Sequence, residues 1–268
     1  MGEGDNQQLH AVNDDDDGAK VESTKQRRRG IYLLPNFITT AALFAGFYAI
    51  VAGMNGNFIA ASMAIFAAGL LDTADGRVAR WTRTESQFGA EYDSLSDMVA
   101  FGVAPALVAF SWGLDTLGQI GWVVTFVYMA CTALRLARFN TKGDNKTFTG
   151  LASPAAAGII AFSIWTWADS GLGPPSVGAA AAMAVLVVGA ALLMVSNIVY
   201  FSPKVLDLKG RVPFVTLVLV VLVFAVMLVD PPRVLLLMAI TYALSGPAQM
   251  LWRKVAEKRN TSSADPDR

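Results

Sequence analysis

Eight apolar stretches divide the chain between Pro35 and Trp252, at residues 36–54, 57–81, 90–113, 118–138, 152–170, 175–199, 212–229 and 233–252. Each is close to the roughly 20 residues that carry an α-helix across the hydrocarbon core of a bilayer. In lipid the backbone must satisfy its own hydrogen bonds, so this pattern predicts an all-α, polytopic membrane helix bundle of about eight transmembrane helices. The composition agrees: 54% of the 268 residues are hydrophobic and 16% are charged, against about a quarter charged in a soluble domain. An ordinary cytosolic enzyme is excluded. So is a nucleic-acid binder working through a basic surface, because 21 basic residues are balanced by 21 acidic ones. A single cysteine, Cys131, permits no internal disulfide, and a single histidine, His10, rules out a His-rich metal site. Any metal here must be held by oxygen.

The connections alternate in charge. Asn55-Gly56, Asp115 to Gly118, Gly171 to Pro175 and Asp230-Pro231-Pro232 are nearly free of lysine and arginine. The others carry Arg77, Arg80 and Arg83; Arg135, Arg138, Lys142 and Lys146; and Lys204, Lys209 and Arg211. Of the 21 basic residues all but Arg233 fall on one side, which the positive-inside rule makes the cytoplasm, and an even number of spans puts both termini there. Residues 1–30, with an Asp14–Asp17 block and the Arg27–Arg29 anchor, are expected to be a disordered cytoplasmic tail, and 253–268 a cytoplasmic C-terminal tail. Trp112, Trp122, Trp165, Trp167 and Trp252 lie near span ends and read as interfacial anchors.

Residues 72 to 97 break the apolar pattern. Asp72 and Asp75 stand at i and i+3 near the end of the second stretch, and Asp93 and Asp97 at i and i+4 near the start of the third. Each pair therefore shares a helix face, and the short connection brings all four carboxylates to one depth at the cytoplasmic boundary. A carboxylate within a membrane helix costs about 2.5–3.5 kcal/mol at the bilayer centre, less near its ends. Four together also repel, so a positive partner is required. Two hard divalent cations with oxygen ligands, Mg²⁺ or Mn²⁺, meet that need and keep positions open for phosphate. The alternative is a set of solvated helix-end carboxylates paired with Arg77, Arg80 and Arg83. Gly76, Ala79 and Gly89 clear side-chain bulk beside the carboxylates, and the planar fork of Arg80 suits a diphosphate.

The pattern Asp72-x2-Asp75-Gly76-x2-Ala79-Arg80-x8-Gly89-x3-Asp93-x3-Asp97 resembles the signature of the CDP-alcohol phosphotransferase family. The resemblance implies a six-helix membrane core, set here at 31–200 with two additional helices over 201–252. It also implies a homodimer and a two-metal site facing the cytoplasm. The reaction it implies is transfer of a phosphatidyl or similar group from a CDP-linked donor to an alcohol, with release of CMP. Carried over by position, Asp72, Asp75, Asp93 and Asp97 are implied as metal ligands, with Asp97 also the general base. Gly76, Arg80 and Ser86 are implied as contacts to the nucleotide diphosphate. The segment Pro35 to Thr39, with Asn36 and Thr39, looks like the family's nucleotide-contacting start of the first helix, the alternative being a helix cap.

The run from Pro35 to Pro105, with Ala133 to Asn140 and Gly150 to Ala155, is similar to the serine-accepting bacterial members. Those use CDP-diacylglycerol as donor and L-serine as acceptor. This likeness implies a bacterial plasma membrane location, with membrane lipids as neighbours. Arg135 and Arg138 suit the carboxylate of a free amino acid, and Glu91 or Asn140 its ammonium; the alternative makes both arginines topogenic or phosphate-facing charges. Glycerol 3-phosphate and an inositol phosphate remain as other acceptors. A cation transporter is the competing class, because intramembrane carboxylates also mark ion paths. Against it, the cluster lies at one face, and Asp115, Asp169 and Asp230 all fall at outer span ends.

Overall fold

The computed structural model describes the backbone of residues 14–82, 84, 86–141, 149–198, 200 and 214–263, and most side chains of these from Leu34 onward. In chain order come α1 (Asp14–Met54), α2 (Phe58–Thr82), α3 (Gln87–Asp97), a π-helical turn (Met98–Val103) and α4 (Ala104–Trp112). A 3-10 turn (Leu114–Leu117) leads into α5 (Gln119–Thr141), α6 (Ser153–Asp169), α7 (Val177–Val195), α8 (Phe214–Val229) and α9 (Pro231–Ser263). Among the described residues five stretches are long and apolar enough to cross a membrane: Leu34–Met54, Phe58–Thr82, Gln87–Trp112, Gln119–Thr141 and Val177–Val195. The protein is a polytopic helical membrane protein. The three remaining expected stretches are also helical, as α6, α8 and α9. The 17 residues of α6 and 16 of α8 reach about 25 Å at 1.5 Å per residue.

Helix α6 is the centre of the bundle. Ala156 to Phe162 are buried without interruption, and Ile164 beyond them is fully enclosed. A helix apolar on all sides is enclosed on all sides, and α6 packs on α2, α4, α7 and α9. Small residues set the spacing elsewhere. A methyl group on Gly46 of α1 would lie 2.8 Å from the Cα of Ala100, and one on Gly53 would lie 3.0 Å from Val108. Helix α1 thus rests backbone to backbone on the third span.

Two sets of contacts mark opposite ends of the bundle. At one end Gly113 abuts Pro175, and Arg233 joins Asp230 and Asp169, the latter at 3.9 Å. At the other, Arg135 donates to Ser153 and Arg138 to Asn197, each at 2.7 Å. The connection before α6 is locked there by Gly150, whose φ of +85° needs glycine and whose Cβ would strike the Met194 carbonyl at 2.2 Å.

Four expectations change. Residues 14–30, expected as part of a disordered tail, have a helical backbone continuous with the first span, and residues 1–13 lie outside the described residues. Pro35 to Thr39 consequently sit inside α1 and not at its start, so the helix-cap alternative does not hold. Helix α9 likewise runs past residue 252 to Ser263. Trp112, expected as an interfacial anchor, is 5% exposed and packs edge-on against Trp167 at 5.6 Å; Trp122 and Trp252 do face outward. The expected boundary at 200/201 borders residues 201–213, which lie outside the described residues.

Candidate active site

Helix α2 delivers Asp72 and Asp75 from its last turns, and α3 delivers Asp93 and Asp97. Carboxylate oxygens of Asp72, Asp75 and Asp93 all lie within 4.8 Å of one another. The Asp97 carboxyl meets that of Asp72 at hydrogen-bonding range. Asp75 is buried and the other three are half-buried. The i, i+3 and i, i+4 spacings therefore do bring the four together.

Helix α1 supplies the third wall. The Thr39 hydroxyl donates to Asp75 Oδ2 at 2.7 Å and also lies 3.1 Å from the Pro35 carbonyl. Ser96 Oγ donates to the Thr39 carbonyl at 3.1 Å, so a residue between Asp93 and Asp97 is tied to the residue that holds Asp75. Thr40 Oγ1 and the Tyr92 hydroxyl are 2.8 Å apart one turn outward.

Beside the carboxylates lies a cavity of about 290 Å³, lined by Pro35, Asn36, Thr39, Asp75, Gly76, Ala79, Thr84, Ser86, Gly89, Ala90 and Asp93. Asn36, Thr39, Gly76 and Ser86, each expected to contact a nucleotide, all line this one space. The glycines do different work. A methyl on Gly76 would find nothing nearer than the Arg80 guanidinium at 4.0 Å, so its missing side chain is open volume. A methyl on Gly89 would sit 3.1 Å from Ser86 Oγ and 3.5 Å from Asn36 Oδ1, so its missing side chain permits close packing. Ser86 caps α3, its hydroxyl accepting from the Gly89 amide at 3.0 Å. Arg80 is exposed, with Nε donating to the Gly76 carbonyl at 2.8 Å.

The four residues expected to bind an acceptor divide. Arg135 is an electrostatic neighbour of Asp97 and Asp72. Its Nη1 donates to the fully buried Ser153, while its Nε is buried with no hydrogen-bond partner. Arg138 turns instead to the end of α7, reaching Asn197 Oδ1 at 2.7 Å and the Val195 carbonyl at 3.5 Å. Asn140 exchanges hydrogen bonds with Ser94, and Glu91 is exposed. Sequence reasoning passed over Thr84, Ser96 and Tyr128. A hydroxyl three residues after Asp93 was a usable signal for Ser96; a tyrosine in an apolar span offered none.

The donor chemistry fits hard divalent cations. Among the described residues no lysine or arginine makes an ion pair with any of the four aspartates within 4.0 Å. Their ligand atoms are all carboxylate oxygens, and oxygens on opposite sides of one Mg²⁺ stand roughly 4 Å apart, close to the spread seen here.

A family model described as CDP-alcohol phosphatidyltransferase matches residues 32–251. The CDP-diacylglycerol–serine O-phosphatidyltransferase of Helicobacter pylori is 40% identical over 137 residues, 50% of this chain and 58% of that protein. The protein of the same name from Mycobacterium tuberculosis is 43% identical over 140 residues, 48% of this chain and 49% of that one. The archaetidylserine synthase of Methanothermobacter thermautotrophicus is 35% identical over 170 residues, 62% of this chain and 69% of that one. The chain thus spans about half the length of the first two relatives. With the matched region running from the cavity-lining part of α1 into α9, the chain belongs to the CDP-alcohol phosphatidyltransferase family.

Proposed function

We propose that the protein transfers the phosphatidyl group of CDP-diacylglycerol to the hydroxyl of L-serine, giving phosphatidylserine and CMP. The observation that carries this reading is the shared cavity: Asn36, Thr39, Gly76 and Ser86 line the same space as Asp75 and Asp93. A nucleotide diphosphate seated there lies against the carboxylate cluster. The names of the similar proteins support the donor and the acceptor.

In this reading Asp72, Asp75, Asp93 and Asp97 hold two divalent cations, Mg²⁺ or Mn²⁺. When bound, these supply positive charge against the diphosphate. Thr39 fixes Asp75 through its 2.7 Å hydrogen bond. The space left by Gly76 admits the diphosphate, and Arg80, with Nε engaged on the helix, offers its two terminal nitrogens to phosphate oxygens. The serine oxygen attacks the phosphorus that bears diacylglycerol, the bond from that phosphorus to the CMP oxygen breaks, and Asp97 accepts the serine proton. Position matters more than basicity for this step, since a base must lie within about 3 Å of the proton it takes.

Arg135 is the better supported of the two arginines for the serine carboxylate. It lies beside Asp97 and keeps an unpartnered buried N–H, a group that costs stability until something accepts from it. Asn140, bonded to Ser94 of α3, and the exposed Glu91 are offered to the ammonium. The partners are CDP-diacylglycerol, L-serine, the surrounding lipids and a second copy of the chain. The cluster faces the cytoplasm of a bacterial plasma membrane, with both termini on that side.

The test supplies purified protein with CDP-diacylglycerol and Mn²⁺, then L-serine, glycerol 3-phosphate or inositol phosphate in turn. CMP release with serine alone is the expected result. Release with a phosphorylated alcohol and not with serine contradicts the acceptor assignment while leaving the donor.

A further inference from the structure

An α-helix satisfies the carbonyl of residue 101 from the amide of residue 105, and residue 105 is proline, which has no N–H and whose ring crowds that carbonyl. The third span answers by widening. Met98–Val103 is π-helical, with the Ala104 amide donating to the Val99 carbonyl five residues back. The Phe101 carbonyl is taken by Tyr128 of α5, whose hydroxyl donates to it at 3.0 Å. Tyr128 is fully buried. Missing side chains close the turn in on two sides: Gly46 lets α1 approach Ala100, and a methyl on Gly102 would lie 3.1 Å from Thr132 of α5.

The turn starts one residue after Asp97. One extra residue rotates the helix before it by about 100° relative to the helix after it. In α4 the buried stripe is broad, taking in Ala104, Pro105, Ala106, Val108, Ala109 and Trp112. Traced back on α spacing, that stripe runs through positions 97 and 93–94. The packed centre is instead Ser96, 2% exposed and bonded to α1, while Asp93 and Asp97 face Asp72 and Asp75.

We propose that Pro105 and Tyr128 are positioning residues for the reaction: together they hold the π turn that rotates Asp93 and Asp97 off the α1 contact and onto the carboxylate cluster. Pro105 forbids the straight helix, and Tyr128 satisfies the carbonyl this leaves over. The inference rests on the reading of Asp97 as the group that accepts the acceptor's proton.

The experiment uses the full-length protein with Tyr128→Phe, Pro105→Ala and the two combined. It reads Tm, kcat and KM for CMP release with CDP-diacylglycerol and serine, and the Mn²⁺ concentration for half-maximal rate. Tyr128→Phe should lower Tm and reduce kcat on the order of 10- to 100-fold, the scale of an ångström-level misplacement, with both KM values little changed. In the double variant the alanine amide at 105 can donate to the Phe101 carbonyl, so Tm should recover while kcat stays low and the Mn²⁺ requirement stays raised. Pro105→Ala alone, with no donor removed, should be as stable as the parent and show the same loss of kcat, which covers the case of Tyr128→Phe failing to assemble. Parental kcat in Pro105→Ala or in the double variant overturns the proposal and reduces Tyr128 to a structural hydrogen bond. No CMP from the parent protein with serine is a different failure: it removes the functional reading, and this inference with it.

Discussion

Asp97 differs from the other three carboxylates in position. Asp72, Asp75 and Asp93 form one close group, whereas Asp97 meets that group through Asp72 and lies on the side where Arg135 approaches. This is where an acceptor's hydroxyl and carboxylate would have to sit together. Asp97→Asn, nearly the same shape, should reduce CMP release by between about 10² and 10⁴-fold with Tm unchanged; near-parental turnover would remove Asp97 as base. Gly76 allows a sharper test, because stability and activity should move in opposite directions. Gly76→Ala places a methyl in open cavity, so the helix should gain about 0.5–1 kcal/mol while the KM for CDP-diacylglycerol rises several-fold. A parallel change in both would show that Gly76 does not face the donor. The aspartates were legible in the sequence because four carboxylates in an apolar chain are costly and need a reason. Thr39 was legible only as a place in a motif: its bond to Asp75 joins residues 36 positions apart, and no local pattern records such a contact.

Among the elements, α1 does most to shape the site, contributing Asn36 and Thr39 to the cavity and resting directly on the third span. Gly46→Ala should therefore destabilise by about 1–3 kcal/mol, since its methyl meets backbone at Ala100 that has no room to yield. A thermal unfolding midpoint equal to the parent's would show that the two helices are free to separate. The apolar stretches were readable because length and hydropathy alone decide whether a helix suits a bilayer. The break in the third span was not, since hydropathy is blind to phase: residues 90–113 read as one run, although Pro105 was in plain view and proline within a helix is the usual cause of such a disturbance. The helical backbone over 14–30 was missed for the opposite reason. Charge argued for disorder there, while attachment to a stable helix at residue 31 lowers the cost of propagating backward.

On the scale of the whole molecule, the four carboxylates sit at the end of the bundle where α5 meets α6 and α7 through Arg135 and Arg138, away from the Asp230–Arg233 end. The proposed topology puts the carboxylate end in the cytoplasm. Single cysteines introduced at the exposed Asn55 and Gln87, in a Cys131→Ala background, should divide accordingly: in sealed cells a membrane-impermeant thiol reagent should label the first and spare the second. The reverse would invert the topology. A homodimer is expected in detergent, and a monomeric mass from light scattering, with activity intact, would remove it. Spacing made the gathering of the carboxylates at one end of the bundle legible, whereas the pairing of α6 with α9 rests on side-chain shape and was not.

In the proposed reaction this carboxylate cluster, loaded with divalent metal, moves a phosphatidyl group onto serine. The most direct measurement follows labelled L-serine into lipid alongside CMP release, in protein stripped with EDTA and then restored with Mn²⁺ or Mg²⁺. Equal amounts of phosphatidylserine and CMP, absent after chelation and recovered on adding either metal, are the predicted result. Transfer that persists undiminished in thoroughly chelated protein, or CMP released with no serine entering lipid, would contradict it.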